Sequence, residues 1–339
     1  MLSSSADAVS SRHGGAVFTM QNPAVPKPEV DIPALSVVVT RVSGNGSLLA
    51  CLASLTRQVD ADATEIIVPY DTYSADVAEL ADVYPTVHFA YVDDLGAAAS
   101  PRVPVHEHRR YDRCRAVGLS LARGRIVAMT EDHAIPADDW CAQILTAHEQ
   151  PYSVIGGAIE NGVDHPLNRA WYYCDFGRYG RPFSPAEAEY VSDVNVSYKR
   201  EALHAVRDQW QDAYHEATVH WAMVQRGETL YRDPRPVVHQ HRERMPLGRS
   251  LRERVDWGRV FAETRAARMG PFRRMLYAAG TTMLVPVLAA RVVHHMTRQD
   301  RPIREQVTTL LWALGLLTAW SCGEFLGYVR GPIKPLPTT

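Results

Sequence analysis

The sequence predicts an α/β fold on a mainly parallel, doubly wound sheet, and three observations carry that expectation. Short β-branched runs alternate with helical periodicity over the first 130 residues. Two of those runs end abruptly in acidic groups, at Asp71 and at Glu131-Asp-His133. Carboxylates beside a core are costly unless something compensates them. Ligands of doubly wound sheets bind at the carboxyl ends of the strands. The shared placement of the two acidic ends therefore points to a nucleotide site more strongly than either motif alone.

The elements follow in order. Leu35–Thr40 (LSVVVT) reads as a buried strand, and Ser47–Gln58 as a helix with Leu48, Leu49, Leu52 and Leu55 at helical spacing. Glu65–Val68 is a second strand, running to Pro69-Tyr-Asp71. Asp76–Val83 is helical, Val87–Val92 a strand, and 93–107 a loop rich in Gly, Pro and Ala. Arg109–Arg123 is an amphipathic helix and Ile126–Thr130 a strand. Further on, Ser153–Ile159 and Tyr190–Tyr198 read as strands, with an aromatic helix around Trp171–Tyr173 between them. Glu216–Gln225 is a helix capped at Arg226-Gly227. Leu230–Arg232 and Val237–His239 are short extended pieces, and an arginine-rich helix covers Ser250–Arg268.

The chain ends differently. Met275–Ala290 and Gln306–Gly323 are apolar and uncharged, slightly short of the roughly 20 residues that span a hydrocarbon core. They read either as a membrane hairpin or as a helical pair buried against the rest of the chain. Arginines flank both on every side, so charge bias assigns no side to the connecting loop. The expected organisation is a disordered leader over 1–33, an α/β domain over 34–245, an amphipathic arginine-rich helix over 246–272, a hydrophobic helical pair over 273–330 and a tail over 331–339.

A formal net charge of −2 leaves no basic footprint for nucleic acid. The five cysteines are odd in number and scattered, which argues against a disulfide framework or a cysteine zinc site and suits a reducing compartment. Residues 1–33 lack the long apolar stretch of a secretory signal.

The motifs in this order resemble the family 2 glycosyltransferases, inverting enzymes of the GT-A fold, over roughly residues 34–245. Ser54-Leu-Thr-Arg-Gln58 matches the family's S-L-x-x-Q. Asp71-Thr-Tyr-Ser74 stands where D-D-G-S is usual and keeps its first Asp and its Ser. Cys114-Arg-Ala-Val-Gly118 keeps the Arg and Gly of A-R-N-x-G. Glu131-Asp-His133 stands at the D-x-D position, with Pro136 and Trp140 beyond it. Asp193-Val-Asn-Val-Ser-Tyr-Lys-Arg200 resembles the strand after the acceptor region. Tyr214-His-Glu216, running on to Gly227, fits the segment carrying the acidic base, and His239 matches a histidine after the next strand.

The resemblance implies a Rossmann-like GT-A domain followed by the hydrophobic helical pair. It implies Glu216 as catalytic base, and Asp71, Arg115, Glu131 and Asp132 as nucleotide-sugar-binding residues. Glu131, His133 and His239 become ligands of a divalent cation, Mn²⁺ or Mg²⁺, with the histidines fitting Mn²⁺ more comfortably. The chemistry requires such groups: a clamp on the diphosphate leaving group, a carboxylate to take the acceptor proton, and a grip on the base and ribose. The local alternatives are plainer. Asp71 and Asp132 also suit turns, with Asp132 aimed at the ribose or at a neighbouring backbone. Glu216 suits a helix N-terminus. Arg115 suits a helix surface. Trp140, Trp171, Tyr172, Tyr173, Phe176 and Tyr179 suit core packing more than sugar stacking. His241 and Arg242 compete with His239 for diphosphate contact.

The expected partners are a nucleotide diphosphate sugar donor, a glycan or lipid-linked acceptor and membrane lipids, with no nucleic acid. The expected location is the cell membrane, with the catalytic domain on the cytoplasmic side. The departures at three motifs keep open a degenerate, non-catalytic binder of the same fold. A sugar-1-phosphate nucleotidyltransferase fits poorly, because in Arg41-Val-Ser-Gly-Asn-Gly-Ser47 the basic residue precedes the glycines.

Overall fold

The computed structural model describes residues 32–42, 45–58, 63–93, 104–266 and 269–331. The expected leader up to residue 31, most of the 93–107 loop and the tail from residue 332 lie outside the described residues.

The first half of the sheet is parallel. Strands β1 (Leu35–Thr40), β2 (Thr64–Tyr70), β3 (Val87–Tyr91) and β4 (Ile126–Glu131) stand in the order β3-β2-β1-β4. β1 is buried along its whole length because both its faces are covered. Leu35, Val37 and Val39 meet Leu48, Cys51, Leu52 and Leu55 of helix α1 (Asn45–Gln58). Val38 turns the other way, towards Ile67 and towards Leu119 of helix α2 (Pro104–Leu121).

The second half is mixed. β5 (Ala134–Pro136), β6 (Val154–Asn161), β7 (Ala186–Glu187), β8 (Asn195–Lys199) and β9 (Leu230–Gln240) complete the sheet. β8 runs antiparallel between β4 and β6, β9 parallel to β6, and β5 and β7 antiparallel to β9. The two extended pieces expected at 230–232 and 237–239 are one strand. A register shift between Gly156 and Ala158 absorbs the Pro-rich stretch that separates them. The strand expected from Tyr190 begins only at Asn195, because Asn195 N–H closes a turn onto Ser192 O at 3.0 Å.

Helices α3 (Trp140–Ala147), α4 (Pro166–Asp175), α5 (Arg200–His204) and α6 (Glu216–Gln225) flank these strands. Trp140 is core: its indole N–H donates to Asn195 Oδ1 at 2.9 Å. After β9 come α7 (Leu247–Ala266), α8 (Pro271–Gly280), α9 (Leu284–Arg298) and α10 (Ile303–Arg330). α7 buries one face. Ser250, Arg254, Gly258, Ala262 and Ala266, four residues apart, form a buried stripe. Gly258 packs onto the backbone of Trp320, and Gly323 and Gly327 of α10 onto the carbonyls of Val255 and Arg259. A side chain at any of the three would collide with backbone.

The stretches Pro271–Arg298 and Ile303–Arg330 are long and apolar enough to cross a membrane. α10 is not wholly free, however. Ala313, Leu316 and Leu317 join the core cluster that also contains Trp171, Tyr172 and Tyr173 of α4 and Val292 and Met296 of α9. The opposite sides of the pair are apolar and exposed, with Phe272 84%, Ile303 79% and Leu311 66% accessible.

Candidate active site

At the carboxyl end of β4 the apolar strand gives way to Glu131, beside Thr40 at the end of β1. The buried Arg115 of α2 organises the charges there. It meets Glu131 at 2.8 Å, Asp193 at 3.0 Å and Asp112, one turn back on its own helix, at 3.2 Å. Burial alone would weaken the guanidinium's hold on its proton, but Asp193, Glu131 and Asp112 outweigh it and raise its pKa. Arg115 is therefore a buried cation that draws three carboxylates together, rather than a surface arginine.

Glu216 is the first residue of α6 and belongs to the same group. Burial and the neighbouring charge of Asp193 push its carboxyl up to about 9, against the pull of Arg115, a bond from the Asp193 N–H, and Arg178. Behind it, Tyr198 Oη lies 2.6 Å from Tyr214 Oη and 2.8 Å from His220 Nε2, a closed polar cluster in an otherwise apolar layer. Asp193 completes the site and was not singled out as a site residue in the sequence. Its signal is the one that marked Glu131, an acidic group at the edge of a buried β run.

Glu131 and His133 face a cavity of about 840 Å³ that Arg115 also lines. Glu131 Oε2 and His133 Nε2 are 3.5 Å apart. Burial pushes the Glu131 carboxyl up, opposed by His133 and Arg115. Glu131 and His133, on a single wall, would supply a carboxylate and an imidazole to a divalent cation. His239 lies opposite Ile135 of β5 and Glu160 of β6, two residues before His241. Burial, and the rings of His239 and His133, lower the pKa of His241, so the three imidazoles share one neighbourhood. Among the described residues no three His, Cys, Asp or Glu groups gather closely enough to hold a metal alone.

Asp132 and Asp71 are placed differently. Asp132 is 0% exposed and accepts the Val42 N–H at 3.1 Å, which ties down the chain leaving β1. Its Oδ1 also lies 3.3 Å from His133 Nδ1, and it is not among the residues that line the cavity. Asp71 caps the 3-10 turn after β2, accepting from Tyr73 N–H and Ser74 Oγ. Arg110 of α2 grips both its oxygens, at 2.6 and 2.9 Å. Burial would raise the Asp71 carboxyl, but the Arg110 and Ser74 bonds outweigh it and hold it below the ordinary range.

The far wall of the cavity is α7, which contributes Arg249, Arg252, Asp256 and Trp257. Trp171 of α4 is clamped between two guanidinium groups, Arg242 at 3.8 Å and Arg254 of α7 at 3.7 Å from its ring centre. Arg254 is held in turn by both oxygens of Asp175, at 2.8 and 2.9 Å, and Arg242 by Glu253. Both faces of Trp171 are occupied, so it is no stacking platform for a sugar; it fixes α7 over the cavity.

Residues 36–207, about half of the 339, match the model of glycosyl transferase family 2, and the chain belongs to that family of glycosyltransferases. The matched span includes Asp71, Arg115, Glu131, His133 and Asp193, while Glu216 and His239 lie beyond it. Among solved structures the chain is similar to the mannosyltransferase PcManGT from Pyrobaculum calidifontis in complex with GDP-Man and Mn²⁺. Identity is 16%, the TM-score 0.48, and coverage 86% of this chain and 87% of that one. It is also similar to S. aureus TarS 1-349 in complex with UDP-GlcNAc, with 11% identity, a TM-score of 0.46, and 84% and 91% coverage. No curated protein matches the chain significantly.

Proposed function

We propose that this glycosyltransferase moves a sugar from a nucleotide diphosphate donor to a hydroxyl of a glycan or lipid-linked acceptor, by one inverting displacement at the cytoplasmic face of the cell membrane. One observation carries the reading: a Glu131–His133 pair facing a large cavity at the strand ends, backed by the Arg115–Asp193–Glu216 cluster.

Glu131 and His133 would hold a divalent cation, Mn²⁺ or Mg²⁺, whose charge stabilises the departing diphosphate. Arg115 keeps Glu131 oriented through its 2.8 Å contact. Glu216 takes the proton of the acceptor hydroxyl onto its carboxylate as the oxygen attacks the anomeric carbon. A carboxyl whose proton affinity is raised by burial and by Asp193 is a stronger base than an exposed glutamate. A single base, with the displacement occurring once, leads to inversion. Asp71, locked by Arg110 at the end of β2, frames the nucleotide end.

The membrane assignment rests on the exposed apolar side of α8–α10 and on the arginines beside it, among them Arg273, Arg274, Arg301 and Arg304. Such a surface suits insertion into an anionic leaflet.

The test is nucleotide release from a panel of UDP- and GDP-sugars with Mn²⁺ or Mg²⁺, in the wild type and in Glu216→Gln. Release by the wild type, reduced at least a hundredfold in the variant, supports the reading. A wild type that binds nucleotide and never releases it with any acceptor points instead to a non-catalytic binder.

A further inference from the structure

Gln240, the last residue of β9, lines the same cavity and is only 4% exposed. Its backbone is fully used, paired beside Asn161 of β6 and Ala134 of β5, with its carbonyl accepting the Gly162 N–H at 2.9 Å. Its side chain is not. Among the described residues neither Oε1 nor Nε2 has a hydrogen-bond partner. The indole N–H of Trp171, on the same cavity, also has none among them, although both ring faces are covered. Buried polar groups left unpaired are costly and rare, and they call for an explanation in a ligand or a function.

The two groups together offer two donor nitrogens and an acceptor oxygen, so the complementary ligand carries adjacent groups that both donate and accept. Hydroxyls do this and phosphates do not. Four arginines and five acidic residues line the cavity, so without a bound cation its wall carries no excess positive charge.

We infer that Gln240, assisted by the Trp171 N–H, is the specificity-determining contact for the hydroxyls of a neutral sugar ring in this cavity. The inference rests on the glycosyltransferase reading of the site and deepens it. The ring belongs either to the donor or to the acceptor, and the test separates the two. A site built to hydrogen-bond a hydroxyl rejects analogues that lack it far more strongly than an apolar pocket can reject an added group.

The experiment compares the full chain with Gln240→Met, which keeps the length of the side chain and removes both polar atoms. Calorimetry with Mn²⁺ measures UDP and GDP against UDP-glucose, UDP-galactose and GDP-mannose, and then methyl glycosides of the same sugars. If the ring is the donor's, the variant loses about tenfold or more of the affinity that the sugar adds to the nucleotide, while UDP and GDP bind within twofold of wild type. If it is the acceptor's, nucleotide-sugar affinity is unchanged and methyl glycoside binding is lost by a similar factor. In both cases the ligand-free melting temperature stays level or rises, because two unpaired groups have been removed.

Equal sugar affinities in wild type and variant overturn the inference. So does a lower ligand-free melting temperature, which would show a structural role, or an equal loss of UDP and GDP affinity. A wild type that binds neither UDP nor GDP refutes the transferase reading instead, and the glycoside titration then still decides whether Gln240 recognises a sugar.

Discussion

Replacing Glu216 by Gln has two consequences of opposite sign, and both follow from the carboxyl's surroundings. Its pKa rises from an ordinary 4.5 to about 9 in the folded chain, first through burial and then through Asp193. A raised folded value means that the neutral form fits the fold better. The stability that the neutral form contributes is fully present below about pH 4.5 and is lost as pH rises towards 9. At about 1.36 kcal/mol per pH unit, the loss by pH 7 is at most about 3 kcal/mol, and about 1–2 kcal/mol once solvent screening is allowed for. Gln cannot ionise and still accepts the Asp193 N–H. The variant is therefore expected to be more stable than wild type at pH 7, level with it at pH 4, and further ahead at pH 8. Urea unfolding across that range reads the difference. Turnover moves the other way, down about 10²–10⁴-fold. The alkaline-rising limb of kcat/KM, which lies above the ordinary carboxyl range in wild type, disappears. A variant destabilised at every pH, or one that keeps full turnover, refutes the assignment of Glu216 as a buried base.

Other perturbations have equally direct readouts. Asp71→Ala leaves the Arg110 guanidinium half-buried without its carboxylate, and unfolding free energy is expected to fall by about 3 kcal/mol. Unchanged urea stability would mean that the pair is solvent-screened. Gly323→Val drives a branched side chain into the Val255 carbonyl. It should separate α7 from α10 and lower the melting temperature by several degrees; an unchanged melting temperature would show that the two helices do not depend on this contact. Phe272→Asp with Ile303→Asp places charge at the two most exposed apolar positions among the described residues. This pair should greatly reduce co-flotation with anionic vesicles, whereas equal flotation would argue against an interfacial role for this surface.

Much of the fold was legible because local pattern and tertiary environment agree. β1 reads as a β-branched run and is buried on both faces. α6 begins at Glu216 and ends at Gln225, where periodicity and the Arg226-Gly227 cap place it. The strand expected from Tyr190 was overrun, because its first residues form a turn held by Ser192 and no local propensity reveals that bond. The two halves of β9 looked separate because prolines interrupt the β pattern, and only the register shift in β6 lets them join.

The site divides in the same way. Glu131 and Asp71 announce themselves as carboxylates at strand ends. Asp193 belongs to the site through Arg115, far away in the chain, and Gln240 through a cavity that exists only after α7 is clamped across it by Trp171, Arg242 and Arg254. An arginine-rich helix reads as a surface in sequence, since nothing local discloses that Arg254 is buried against Asp175.

The central claim is that the wall formed by Glu131 and His133 receives a diphosphate through a divalent cation. Titration of UDP and GDP into the full chain, with and without Mn²⁺, tests it most directly when repeated on His133→Ala. The expected result is binding of one nucleotide that needs the cation and weakens at least tenfold in the variant, with the unliganded melting temperature unchanged. Binding that is indifferent to the cation, or equally tight in His133→Ala, would contradict it.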